Sequence, residues 1–357
     1  VSYGQYTRGF GLSFVEPYLF GYRMAGGIDV YARQNFATDY VSYDTTTIGT
    51  NLRLGFQLTE ELSLQPHYSI YRQEITLPDQ YNDCKNSPNA LINGGPGVTV
   101  ADELARPDGS CYANGEASLA VRKELAQGPV LVSLVGYTLA YNSLDNNTVP
   151  TDGIYAKITQ DLAGVGGDVN FIRTTGEIRK YAEVMPDVVG VLKLQGGNLS
   201  GWGDKNLRML DHFFMGPNLV RGFETAGIGP RDITPGTNHD ALGGTLYWGA
   251  SLEFQTPLYF LPKEVGIKLA AFADAGSLWD YQGPTSWDVT GETLAVGLND
   301  PSMIRSSVGI GLIWDSPLGP LRIDVAYPLT KYCATNISGG EVCDRTQIFR
   351  FTGGTKF

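Results

Sequence analysis

Apolar and polar side chains alternate with a period of two through most of the chain. This pattern predicts β-strands that present one face to an apolar medium. Ser2–Phe14 sets Tyr6, Phe10, Leu12 and Phe14 against Gln5, Thr7, Gly9, Gly11 and Ser13. Comparable segments are expected at Arg23–Phe36, Thr45–Leu58, Leu62–Leu77, Val130–Tyr141, Ile154–Leu162, Val169–Ala182 and Val188–Asn198. The alternation is clearest towards the C-terminus. There Leu246, Trp248, Ala250, Leu252 and Phe254 oppose Tyr247, Gly249, Ser251, Glu253 and Gln255. In Ile267–Ala275, Ile267, Leu269, Ala271 and Ala273 form the outward set, with Lys268, Phe272 and Asp274 inward. Val308–Trp314, Leu321–Tyr327 (Arg322 and Asp324 on its polar face) and Ile348–Phe357 complete a tally of thirteen strands.

Short and long connections alternate, as in membrane barrels with short turns at one end and long loops at the other. Two connections stand out. The first, 78–128, holds a Gly/Pro-rich middle and a stretch, Glu116–Gln127, whose composition suits a short surface helix. Leu119, Val121, Leu125 and Ala126 could line one side of it. The second, 200–243, is long and polar. No apolar run approaches the roughly 18 residues of a spanning helix, so a helical membrane protein is excluded. Stacked β-sandwiches remain an alternative, but they cover their apolar faces within the domain. Trp, Tyr and Phe recurring near strand ends favour the aromatic girdles of an all-β, antiparallel transmembrane barrel forming one domain over 1–357. Single-chain bacterial barrels have even strand numbers, so a tally of thirteen implies strands before Val1.

Composition narrows the function. A net charge of −11 argues against nucleic acid, which needs a basic footprint. The four cysteines fall in two local pairs, Cys84/Cys111 and Cys333/Cys343, inside Gly/Asn/Asp-rich loops and without zinc-ligand spacing. Two disulfides in an oxidising compartment are expected, with free thiols as the alternative. His67, His212 and His239 are far apart, and no GxSxG, HExxH or P-loop pattern occurs. No enzyme, metal or cofactor is expected. The chain opens directly on a strand with no signal peptide, which reads as a mature or trimmed chain.

The 200–243 loop carries Asn218-Leu219-Val220-Arg221-Gly222-Phe223. The strands after it carry Glu253 and Asp274 on their polar faces. A loop cation facing two wall acids is the arrangement expected of a loop tied down inside a barrel. Together with GASLEF, AFADAGSLWD, SVGIGLIWDSPLGPLRIDVAYPL and the terminal FRFTGGTKF, these residues resemble the BamA family, which inserts β-barrel proteins into the bacterial outer membrane. The resemblance is most specific from Gly216 to Phe357 and thinner before Val130.

The resemblance implies a sixteen-strand barrel preceded by periplasmic POTRA domains. On that pattern Ser2–Phe14 matches the fourth strand. It implies that Arg221 reaches into the lumen and pairs with Glu253 and Asp274, with Val220, Gly222 and Phe223 seating the loop. Phe349, Phe351, Gly354 and Phe357 would form the terminal signal and one half of a weak lateral seam where client strands are templated. The implied partners are outer-membrane lipid and lipopolysaccharide, unfolded barrel clients and accessory lipoproteins. A related secretion pore and a passive porin remain alternatives.

Overall fold

Among the described residues of the computed structural model, fourteen strands form one antiparallel sheet, each pairing with its neighbours in chain order. The structure describes residues 2–4, 6–38, 41–78, 81, 117–203, 207–234, 237–259, 262, 265–283, 285–289, 292–295, 297–316, 319–335 and 340–353. The strands are β1 (Ser2–Tyr3), β2 (Thr7–Glu16), β3 (Met24–Asn35), β4 (Asp44–Gln57), β5 (Leu62–Thr76), β6 (Val130–Asn142) and β7 (Gly153–Ala163). They continue as β8 (Phe171–Met185), β9 (Val188–Gly201), β10 (Leu246–Pro257), β11 (Ile267–Trp279), β12 (Arg305–Ser316), β13 (Gly319–Thr330) and β14 (Phe349–Gly353). Among the described residues, β1 and β14 do not pair with each other.

The count of fourteen corrects the tally of thirteen. The first expected strand is two: Gly4 N–H donates to Thr7 C=O at 2.7 Å, and β1 folds back on β2 with Tyr3 opposite Arg8. The break escapes a periodicity argument because Tyr6 stays in phase with Phe10, Leu12 and Phe14. At the other end β14 covers Phe349 and Phe351, whereas Gly354 and Phe357 lie outside the described residues.

The two faces of the sheet differ in chemistry as the alternation requires. Phe10, Phe14, Ile48, Leu52, Ile158, Ile178, Leu194, Leu252, Ile310, Val325 and Phe351 are all exposed on the outer face. A fully exposed side chain of this kind forfeits about 1.5–3 kcal/mol relative to burial, so a continuous band of partly exposed ones suits contact with lipid. No helix is long and apolar enough to cross a membrane. On the inner face polar groups satisfy one another across strands. Arg53 pairs with Asp29 at 2.8 Å, Asn51 accepts from Ser69 at 2.7 Å, and His67 meets Asp161 at 2.8 Å.

Long connections gather at one end of the sheet and cap it. Helix α1 (Leu119–Gln127) starts at Ser118, whose side chain accepts from Val121 N–H, and ends at Gly128 with φ 74°. It is not the surface helix expected from its composition: Ala120, Val121, Arg122 and Glu124 are all buried. Val121 packs with Tyr43, Ile75, Met209, Leu242 and Tyr281, residues drawn from four other stretches of chain. A charged helix can be buried here because Arg122 donates to the carbonyls of Ala117 and Tyr81, and Glu124 meets Arg208. Asp240 staples three loops at once, accepting from Ser42 N–H and Oγ at 2.7 Å and from Ser118 N–H at 2.8 Å. Cys333 and Cys343 form a disulfide across a short hairpin. Cys84 and Cys111, with most of the 78–128 loop, lie outside the described residues.

Candidate functional site

The chain between β9 and β10 turns into the space enclosed by the sheet and sets Arg221 against the inner wall. One edge of its guanidinium holds both oxygens of Asp274, with Nε to Oδ2 and Nη2 to Oδ1 both at 2.7 Å. The Arg221 backbone N–H adds a third bond to Oδ2 at 3.0 Å. Nη1 reaches Glu253 Oε2 at 2.5 Å and Nη2 donates to Ser251 Oγ at 2.9 Å. The planar group also lies 3.4 Å from the centre of the Phe272 ring. Forked donation to a carboxylate and stacking on a ring are both specific to arginine, and lysine offers neither together.

Register explains why these groups meet. Ser251 lies opposite Asp274, and Glu253 opposite Phe272, in the β10–β11 ladder, so all four project inward within two residues of each other. A second arginine joins them. Arg322 on β13 donates to both oxygens of Glu253 at 3.0 and 2.8 Å and to both of Asp324 at 2.9 and 2.8 Å. Glu253 therefore sits between two guanidiniums. Two cations face three carboxylates, and only 13, 8 and 2% of the Arg221, Glu253 and Asp274 side chains are exposed. Desolvation of that order is tolerated only when each charge keeps its partners.

The loop backbone is fitted to the wall. Gly222 has φ 91°, and a Cβ there would stand 3.3 Å from Ala326 Cβ, so glycine answers both a positive φ and a close approach. Leu219 fills a socket on β10 and β11, since a Cβ on Gly249 or Gly276 would meet its side chain at 2.5 or 3.0 Å. Leu219, Val220 and Phe223 are buried with Ile228 and Leu278. On its far side the loop holds the chain that leads into β14. Gln347 N–H donates to Gly222 C=O, Glu224 N–H to Arg345 C=O and Arg345 N–H to Gly227 C=O. Arg350 reaches Asn218 Oδ1 at 3.2 Å. A polar cavity of about 370 Å³ remains beside the loop, between β8–β10 and β13–β14.

Val220, Arg221, Gly222, Phe223, Glu253 and Asp274 thus lie together. Phe349 and Phe351 do not join them and face outward, exposed. Ser251, Phe272, Arg322 and Asp324 complete the cluster without having been assigned to it from the sequence. Arg322 and Asp324 did carry a signal: two opposite charges two residues apart on the polar face of an otherwise apolar strand.

A separate buried set lies in the cap. Burial pushes the Glu124 carboxyl up to about 7 despite Arg208 Nε at 2.5 Å, with Asp211 adding to the rise. Burial likewise pushes Asp232 up to about 7, opposed by its bonds from Thr234 and reinforced by Asp240. Both acids bind protons more tightly folded than unfolded, where the values are about 4.3 and 3.9. Their stabilisation is full below those unfolded values and is lost as pH rises through about 7. Amide exchange in α1 and residues 228–242, corrected for intrinsic rates, is expected to accelerate between pH 5 and pH 8. Glu124→Gln is expected to flatten that dependence in α1.

Comparison with known proteins now bears on this geometry. Residues 1–357 match the Omp85 superfamily domain. The chain belongs to the Omp85 superfamily. It is 37% identical over 321 residues to outer membrane protein assembly factor BamA of Neorickettsia risticii, covering 83% of this chain and 41% of that protein. It is 36% identical over 253 residues to the sorting and assembly machinery component 50 homolog of Bos taurus, covering 68% and 48%. The chain therefore spans less than half the length of these relatives. Its fold is that of the Haemophilus ducreyi BamA crystal structure lacking POTRA domains 1–3, with a TM-score of 0.69 at 20% identity over 98% of this chain and 62% of that one.

Proposed function

We propose that this chain is the barrel of an outer-membrane assembly factor that folds and inserts β-barrel proteins into the bacterial outer membrane. The carrying observation is the match of the whole chain to the Omp85 domain, with relatives named outer membrane protein assembly factor and sorting and assembly machinery component. The finer reading is templating. Among the described residues the last strand, β14, pairs with β13 from Leu321↔Gly353 to Val325↔Phe349. Its other side has no partner among the described residues. In lipid each unpaired N–H or C=O costs several kcal/mol, so an extended client segment is stabilised by adding to that edge.

The cluster around Arg221 then braces the wall behind the seam, with Val220, Gly222 and Phe223 seating the loop. Lipid and lipopolysaccharide around the outer face, unfolded barrel clients and accessory lipoproteins are the partners of this reading. A loop docked in the lumen favours it over a passive porin. Depletion in cells is expected to lower the folded level of many unrelated outer-membrane barrels together. Loss of one barrel only, or a steady open-pore conductance with all barrels normal, would refute it.

A further inference from the structure

We infer that Pro328 sets the upper limit of the seam, dividing the chain before the last strand between the barrel wall and the loop that carries Arg221. The inference rests on the templating reading and names the residue that confines where a strand can add.

In an antiparallel ladder, successive residues address opposite neighbours. Ala326 N–H donates to Ile348 C=O at 2.9 Å, so Arg322, Asp324 and Ala326 address β14 while Ile323, Val325 and Tyr327 address β12. The next residue to face β14 is Pro328, which has no N–H. Continuing the register would set Thr346 opposite Pro328. Instead Thr346 bridges Phe223, and Arg345 and Gln347 bond to the loop. Among the described residues, no backbone bond joins Tyr327–Thr330 to the chain before β14. Yet β13 itself continues to Thr330, paired to β12 on its other side.

A four-residue edge bordering the seam would otherwise invite strand addition, and proline at the bonding position is a known means of blunting an edge. Tyr327 and Leu329 are 65 and 56% exposed on the outer face, so the segment is in reach of an incoming chain. An extended polypeptide is therefore accepted along β14 and refused at Tyr327–Thr330.

The test is Pro328→Val in the full-length protein in outer-membrane vesicles, read by hydrogen exchange and by photo-crosslinking from position 329 or 351 to a translocating client. The amide introduced at position 328, which faces β14, is expected to be protected at least tenfold below its intrinsic exchange rate while the Gln347 amide loses protection from the loop. Client crosslinks, confined to position 351 in the unmodified protein, are expected to appear at 329 as well. Pro328→Ala makes the same prediction and serves if the valine variant does not fold. An amide at position 328 that exchanges at its intrinsic rate in the folded variants would overturn the inference. Crosslinks at 329 as strong as at 351 in the unmodified protein would overturn it too. Absence of client crosslinks at both positions would remove the templating reading, leaving the exchange result to decide the role of Pro328.

Discussion

Arg221→Ala is expected to destabilise the barrel by about 3–5 kcal/mol, the usual cost of removing one partner from a buried ion pair. The loss would not be confined to the arginine. Asp274 would lose its two guanidinium donors, keeping from residue 221 only the backbone N–H, and its carboxylate is 2% exposed, while among the described residues Glu253 would retain Arg322 and Gln255. The midpoint of urea unfolding in lipid vesicles, followed by tryptophan emission, measures the change. Arg221→Lys is expected to recover only part of it, because an ammonium cannot hold both oxygens of Asp274 and stack on Phe272. Exchanging the charges of Arg221 and Asp274 is expected to fail as well, since Glu253 and Ser251 would then face a carboxylate. Intact stability and client insertion in that double variant would show that the cluster braces nothing.

Phe223→Ala is expected to cost a similar amount, about 3–5 kcal/mol, by the different route of a cavity in a packed apolar cluster. The ring is fully buried, and its backbone bridges Thr346. The two substitutions are expected to be less than additive, because either one frees the same loop and the second then has less to lose. A double-mutant cycle by urea unfolding measures this coupling. Full additivity would mean that the ionic and apolar contacts hold separate structures. Phe223→Leu, which keeps most of the volume, is expected to cost well under half as much.

Much of this site could be read from the chain because strands convert sequence into geometry simply. A period of two decides which face a residue takes, so Glu253 and Asp274 were identifiable as inward acids from their apolar neighbours. What periodicity does not contain is register between strands distant in sequence. Arg322 lies 69 residues from Glu253, and only the stacking of β10, β11, β12 and β13 brings them together. Turns were equally opaque where they preserved phase, as at Gly4–Thr7. The helix α1 was misplaced for a related reason. Arg122 and Glu124 read as solvent-facing by composition, and nothing local announces the carbonyls and the Arg208 guanidinium that receive them.

The direction of the chain through the charged cluster dictates an order of events during biogenesis. Arg221 is synthesised 32 residues ahead of Glu253 and 53 ahead of Asp274, and Arg322 follows later still. The loop therefore has nothing to dock against until the C-terminal strands have been made and have curved into place, so its ring closures come late and join well-separated positions. A nascent barrel must pass through a stage in which its hairpin hangs hydrated and its inner acids are bare. Quality-control proteases that meet the protein at that stage would find the cleavable segment between β9 and β10, and the same segment becomes resistant once β10, β11 and the chain leading into β14 have closed on it.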